Sequence, residues 1–393
     1  MGRTDVLVVG AGPAGLCLAR SLAGSGLQVT LVEAQSRSLL AEAPFDGREI
    51  ALTHASRRIL QQLDLWQRIP QDEVSELRAA RVMNGHSPFA LTFESTGNCA
   101  DPLGWLVPNH LIRRAAWDAV KDQAGVVVHD GRRVERVRRS EAGHEVQLDD
   151  GSRLHARLLV AADSRFSGTR RMLGIGARLQ DFGKSMLVCR MQLERNHHHT
   201  AWEWFGHGHT LALLPLNRGL ASAVITLPPA QAEQLVALEE GPFGEAVSRL
   251  FEHRLGRMTP VGRPHTYPLI GVYAERFATP GAALIGDAAV GMHPVTAHGF
   301  NLGLASQQRL ARLLIDQQAR GADISDGALL ARYQRGHRMA ARPLYEATNT
   351  IARVYTDDRA PARALRAAGL RIAQGVRPFR RLIAERLMQP VAG

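Results

Sequence analysis

The sequence predicts an α/β fold built on a parallel sheet, with a mostly antiparallel sheet inserted into it and a helical tail at its end. Three observations carry that expectation. A short apolar run, Asp5–Val9, passes directly into Gly10-Ala-Gly-Pro-Ala-Gly15, then into a helical pattern, then into a second apolar run. From about 180 to 270 the apolar residues alternate instead, which suits strands with two unlike faces. At 282 the buried-run pattern returns.

The elements follow in order. Residues 5–9 read as a buried strand and 14–23 as a helix, stopped by Gly24-Ser-Gly26. Residues 28–33 give the next strand, so one βαβ unit fits in about 30 residues. Helices are expected at 51–63 and 110–123, and strands at 126–128, 133–139 and 144–148. Asp149-Asp-Gly151 is a turn signal, and strand 157–162 ends at Asp163. The inserted sheet is expected at 185–193, 201–205, 210–216 and 220–227, followed by helical 229–253. Strand 282–286 and a long helix after Gly299 complete the α/β part. The expected domains are a discontinuous one over 1–75, 100–178 and 265–345, a substrate domain over 76–99 and 179–264, and a helical basic tail over 346–393.

Composition excludes several classes. The chain has 393 residues, 45% hydrophobic and 22% charged, which is ordinary globular composition. Cys17, Cys99 and Cys189 are too few and scattered for a disulfide framework, and they suit a reducing compartment. There is no apolar run long enough to span a membrane. A strand pattern from Asp5 leaves no room for a signal peptide, and Val6 spoils the myristoylation pattern opened by Met1-Gly2. The expectation is a cytoplasmic protein, peripheral on the inner face of the membrane. The net charge is +11, and residues 356–393 hold eight arginines against three acids. Such a tail suits an anionic surface or an acidic partner, or is simply a solvated helix face.

The glycine motif carries the first chemistry. Gly10 permits a tight turn, Gly12 lets the backbone approach a pyrophosphate, and Gly15 lets helix pack on sheet, helped by small Ala19 one turn later. The helix N-terminus offers free N–H groups to phosphate. Glu33, 18 residues past Gly15, is placed to accept from an adenosine ribose. The plainer reading is a glycine-rich turn with a surface Glu. The motif leaves FAD and NAD open. Residues 281–304 add Gly286-Asp287, His293-Pro294 and His298-Gly299-Phe300-Asn301 before a helix, a segment suited to the ribityl and ring portions of a flavin.

With these segments the sequence resembles the group A flavoprotein monooxygenases, and within them the ubiquinone-biosynthesis hydroxylase branch. Arg48-Glu-Ile-Ala-Leu52 with Ser56 and Leu63-Asp-Leu-Trp66, Ala161-Ala-Asp163-Ser164 with Ser167, Arg170 and Arg171, and Tyr267-Pro-Leu269 carry the likeness further. There are two departures. Ser164 stands where the family usually has Gly, and Thr296-Ala297-His298 where the branch often has Ala-Gly-Gln. The resemblance implies a Rossmann-like FAD-binding domain and hydroxylation of an aromatic ring driven by NAD(P)H and dioxygen. It implies that Gly10, Gly12, Ala14, Gly15, Glu33, Arg48, Asn109, Asp163, Gly286, Asp287, Pro294, Gly299, Phe300 and Asn301 bind the cofactor. His293, Pro294 and His298 are the catalytic candidates, each histidine alternatively a cap of its loop.

Other signals weigh less. His197-His-His199 with His207 and His209 suggests a metal, but consecutive histidines cannot all face one way along a strand, so a loop is the better reading and no metal is expected. Trp202-x-Trp204 reads as part of the substrate sheet, and Asp101-Pro-Leu-Gly-Trp105 as a turn. In the tail, Phe379, Leu382, Ile383 and Leu387 share a helical face among arginines, which suits a membrane surface, a biosynthetic complex or a second copy of the chain. The expected partners are an aromatic substrate, polyprenylated on the ubiquinone reading, and dioxygen; no nucleic acid is expected. A hydroxylase of a soluble aromatic metabolite, a flavin-dependent prenyl reductase and a low-turnover flavin scaffold remain as alternatives.

Overall fold

The computed structural model describes residues 2–85, 90–94, 101–206 and 208–356. Cys99, His207 and residues 357–393 of the basic tail lie outside them.

The first sheet is parallel where the sequence runs apolar. Strands Ala282–Leu284, Arg153–Ala161, Gly2–Val9, Val29–Glu33 and Val126–Asp130 lie side by side in that order, all parallel. Leu7, Val8, Leu31 and Leu158–Ala161 are shut from solvent, as strands covered on both faces must be. Val134–Ser140 and Gly143–Leu148 add an antiparallel pair to Arg153–Ala161, turned at Gly151, whose φ is +80°. Val9 pairs with both Ala161 and Val32, and Ala161 with Leu284. The strands therefore end level, which brings Gly10, Glu33, Asp163 and Gly286 to one edge. Ligands bind α/β sheets outside such carboxyl ends.

The second sheet has eight strands, with Val290–Gly291, Met258–Ala274, Ala177–Leu193, Leu220–Leu227, Thr210–Pro215, Thr200–Phe205, Ala79–Asn84 and Ala90–Glu94 as successive neighbours. Among the described residues, only Thr200–Phe205 with Ala79–Asn84 is a parallel pair; the other pairs are antiparallel. Its two faces differ by the period-2 rule. Leu187, Cys189, Leu211, Leu213, Ala223 and Ile225 form one core with Trp204, Phe243, Val247 and Phe251. Met186, Val188, Ala212, Ser222 and Val224 turn to a cavity on the other side.

Several elements differ from the sequence expectation. Residues 49–52 are a strand, and the helix starts after it at His54, capped by Thr53. The helical stretch after 229 is two helices, Pro229–Val236 and Glu240–Leu250. The strand at 185 begins at Ala177, and the 17-residue strand Met258–Ala274 was not foreseen, since Pro260, Pro264 and Pro268 interrupt its pattern. Boundaries set at 178 and 264 fall inside these strands, and the one at 345 inside the continuous helix Gly327–Thr356. Among the described residues, no helix is long and apolar enough to cross a membrane.

Candidate active site

One cavity of about 1190 Å³ runs from the level strand ends of the first sheet to the inner face of the second. It exceeds the roughly 300–1,000 Å³ usual for one small-molecule ligand. Its two ends have different chemistry.

The first end is a dinucleotide cradle. Gly10 has φ +106°, and a Cβ there would lie 2.5 Å from the Ala162 carbonyl oxygen. A Cβ on Gly15 would lie 2.0 Å from the Gly10 oxygen, so helix Pro13–Ser21 touches the strand only because Gly15 has none. Gly12 is the opposite case. A Cβ there would meet nothing within 4 Å, which leaves the cavity floor open. The helix carries no capping side chain and no acid in its first turn, so its N-terminal N–H groups suit an anion. The Glu33 carboxylate accepts from Ala11 N (2.6 Å) and Gln35 N (2.8 Å), which fixes it at the strand end. Gly286 has φ +58°, and Gly303 packs its helix onto it, a Cβ there lying 3.3 Å from the Gly286 Cα. These residues fit the pyrophosphate and ribose of FAD.

Arg48 and Asn109 also line the cavity, and both are held by a residue the motifs did not reveal. Asp46 accepts from Arg48 Nη2 (2.6 Å) and Nε (3.2 Å) and from Asn109 Nδ2 (2.7 Å), and its carbonyl accepts from the Tyr267 hydroxyl (2.5 Å). Burial opposes the Asp46 charge, but Arg48 and Asn109 outweigh it and hold its pKa below the usual range. Asp163 lines the cavity with its carboxylate turned to local use, accepting from Ser167 Oγ and from Thr169 N. Asp287 is bridged by Arg165 at 3.1 Å, and Arg165 also reaches the Ile270 carbonyl.

Of the residues singled out in sequence, Gly10, Gly12, Ala14, Glu33, Arg48, Asn109, Asp163, Gly286, Asp287, His293, Pro294, Gly299 and Phe300 line this one cavity. Gly15, His298 and Asn301 stand behind its wall. Asn301 is a clamp: it donates to the Ala51 and Ala297 carbonyls (2.8 and 2.9 Å) and accepts from Thr53 N (3.2 Å). That ties the helix Gly299–Ala319 to strand Glu49–Leu52. His293 accepts from Val295 N through Nδ1 (3.2 Å), and its ring meets Phe182 edge-on at 4.7 Å. Burial pushes its pKa down to about 4, so it is a neutral cap. The two departures from glycine both adopt positive φ, Ser164 at +89° and Ala297 at +53°. Each side chain accepts the strain of that region.

The second end is the sheet face. The wall is mostly apolar, with Met186, Val188, Ala212, Leu214 and Val224, but Glu203 lies in it. Its carboxyl makes no hydrogen bond or ion pair among the described residues, and burial raises its pKa to about 8. Ser222 Oγ in the same wall is also buried and unpartnered among the described residues. Glu49 is a second carboxylate of the wall, and its side chain is fully buried. Burial lifts it to about 7 although Arg190 bonds one of its oxygens at 2.9 Å. Trp202 and Trp204 face the opposite core, where the Trp204 indole donates to Gly85. The described histidines of the cluster serve the backbone: His197 bonds Leu216 O (2.9 Å) and accepts from His199 N (3.0 Å).

A dinucleotide cradle opening into a mostly apolar chamber is the arrangement a flavin-dependent oxygenase needs. The family model described as "FAD binding domain" matches residues 3–348, and the chain belongs to that family. It is an FAD-dependent aromatic hydroxylase of the group A type. The chain is 46% identical over 388 residues to a ubiquinone hydroxylase, UbiM, of Neisseria meningitidis, covering 98% of this chain and 84% of that one. It is 33% identical to the ubiquinone hydroxylase UbiL of Rhodospirillum rubrum (98% and 89% covered). It is 27% identical to the 3-demethoxyubiquinol 3-hydroxylase of Escherichia coli (94% and 95% covered). Its fold is similar to the crystal structure of PqsL from Pseudomonas aeruginosa (TM-score 0.74, 24% identity, 94% and 100% covered). It is similar also to p-nitrophenol 4-monooxygenase from Pseudomonas putida (TM-score 0.79, 19% identity, 98% and 99% covered).

Proposed function

We propose that this protein hydroxylates the ring of a prenylated phenol or quinol intermediate of ubiquinone biosynthesis, using NAD(P)H and dioxygen. The observation that supports it most is the 46% identity, across 98% of the chain, to a ubiquinone hydroxylase. One atom of dioxygen enters the ring, the other leaves as water, and NAD(P)H supplies the two electrons.

FAD, when bound, supplies the redox and oxygen chemistry. The chain supplies the rest. The Gly10–Gly15 turn and the Pro13–Ser21 helix take the pyrophosphate, and Glu33 takes the adenosine ribose. Arg48 and Asn109, pinned by Asp46, face the ribityl and phosphate side, with Asp287 opposite. Pro294, Gly299 and Phe300 border the ring portion, held in place by Asn301. The apolar face of Met186, Val188, Ala212 and Val224 stacks the aromatic substrate and keeps water from the reacting centre. The basic tail, by its sequence, suits an anionic membrane surface, where a prenylated substrate resides.

The test is mass spectrometry of quinone extracts from a strain lacking the gene. Accumulation of a prenylated precursor missing one ring hydroxyl, reversed by the wild-type gene, is the expected result. An unchanged quinone pool in a strain with no second ring hydroxylase refutes the substrate assignment.

A further inference from the structure

Neither the cofactor cradle nor the apolar face carries a group to handle the substrate's ring hydroxyl. Aromatic hydroxylation is fastest when that hydroxyl is ionised, because the oxygen lone pair then feeds the carbon that is attacked. The candidate histidines do not serve. His293 spends its Nδ1 lone pair on Val295 N, and His298 does not border the cavity.

The sheet wall holds a carboxyl that is otherwise unexplained. Along Thr200–Phe205 the side chains alternate, so Trp202 and Trp204 enter the core behind the sheet and Glu203 faces the cavity. Its register neighbour is Ala212, and Ala212 pairs in turn with Val224, which pairs with Val188. The row across the cavity face is therefore Glu203, Ala212, Val224, Val188: three small apolar residues leading to one carboxyl. Proteins pair buried carboxyls, because burying one alone is costly. Glu203 is half-buried in the wall, and among the described residues no hydrogen-bond partner and no cation is set against it. A ligand's ring hydroxyl, which can both donate and accept, fits this carboxyl as a partner. Ser222 Oγ, also orphaned in this wall, is available for a second ring oxygen.

We propose that Glu203 binds the ring hydroxyl of the aromatic substrate and takes its proton as oxygen is transferred. This deepens the hydroxylase reading and rests on it. The proton passes from the phenolic oxygen to a Glu203 carboxylate oxygen, and the freed electron pair enters the ring. The new C–O bond forms at the activated carbon as the O–O bond of the reduced dioxygen breaks, and the second oxygen atom leaves as water. When that carbon loses its hydrogen as a proton, the ring is restored and the phenolic oxygen recovers a proton from Glu203. Dioxygen remains the oxidant and NAD(P)H the reductant, so Glu203 ends as it began. A carboxyl with a pKa of about 8 is a better match for a phenol than an ordinary one.

The test uses oxidised holoenzyme and two probes, 2-prenylphenol and prenylbenzene, which differ by the hydroxyl alone. Dissociation constants come from quenching of the flavin fluorescence, with no reductant present. Wild type is expected to prefer the phenol by about tenfold or more, which is the size of one hydrogen bond to a buried group. Glu203→Leu should abolish that preference, while Glu203→Gln should keep most of it. In single turnover, Glu203→Gln should slow hydroxylation about 100-fold or more and flatten its rise between pH 6 and 9. Unchanged FAD content in both variants excludes misfolding. A Glu203→Leu variant that still prefers the phenol, or a Glu203→Gln variant with wild-type rate and pH profile, overturns the proposal and leaves the hydroxylase reading intact. A wild-type enzyme that neither binds nor hydroxylates any prenylphenol overturns that reading, and the proposal with it.

Discussion

Glu203 makes a prediction that needs neither substrate nor turnover. A carboxyl has a pKa of about 4.3 in the unfolded chain, and in the fold burial raises that of Glu203 to about 8. The folded protein therefore holds this proton more tightly than the unfolded one. Below about pH 4 both states are protonated and the residue costs nothing by linkage. Between the two values the unfolded state alone is ionised, so stability falls as pH rises. Above about pH 8 the loss is complete. One unit is about 1.36 kcal/mol, and the linkage integral from pH 5 to pH 8 is about 3.5 kcal/mol. For 393 residues, an unfolding entropy of about 2.1 cal/mol/K per residue makes that about 4 °C in Tm. Glu203→Gln has no proton to lose. Thermal melts of holoenzyme at pH 5 and pH 8 should show the variant gaining about 4 °C relative to wild type at the higher pH, whatever the constant offset between them. Parallel pH profiles for the two proteins would refute the reasoning, because they would mean the carboxyl is solvated or paired in the fold.

Three further results are expected. Ser164→Gly and Ala297→Gly relieve positive φ at two loops and should each stabilise the protein by about 1 kcal/mol, read as a small rise in Tm. Gly12→Ala and Gly15→Ala should part company. The first should fold with wild-type stability and lose at least tenfold in FAD affinity, because its Cβ enters open cavity; the second should lose both stability and FAD, because its Cβ lies 2.0 Å from the Gly10 oxygen. Melting of the apoprotein and flavin titration separate the two effects. His293→Asn keeps an acceptor for Val295 N and should leave the shape of the pH–rate profile from pH 6 to 9 unchanged, since His293, with a pKa of about 4, does not titrate there; a lost limb in that profile would restore the histidine as the base.

The part of the site that the sequence reveals is the part made by backbone. Gly10, Gly12, Gly15 and Gly286 are there because a carbonyl, a phosphate or a neighbouring helix needs the room of a side chain, and such demands leave glycine at fixed spacing. The same logic locates Ser164 and Ala297. Both adopt a positive φ that glycine would adopt without strain. The parallel strands were legible because burial on both faces leaves continuous apolar runs. The strands at 79–84 and 258–274 were not, because one is short and half exposed and the other is broken by prolines.

The substrate end obeys different rules. There the side chains matter, and each is presented by a strand whose phase is set by packing on the far side. Glu203 sits between Trp202 and Trp204, which the sequence places in the substrate sheet, and their burial behind that sheet turns the carboxyl to the cavity. Asp46 was missed for a related reason. It makes no motif, but it collects Arg48, Asn109 and the Tyr267 hydroxyl from three separate stretches of chain. A cofactor common to many enzymes is held by local backbone geometry and leaves a spacing in the sequence. A substrate particular to a few is held by residues that meet only in the fold. An unpaired carboxyl in an apolar wall is the physical mark of the second kind. Substitutions at Glu203 should accordingly change which ring is hydroxylated, and how fast, while FAD binding stays as it is.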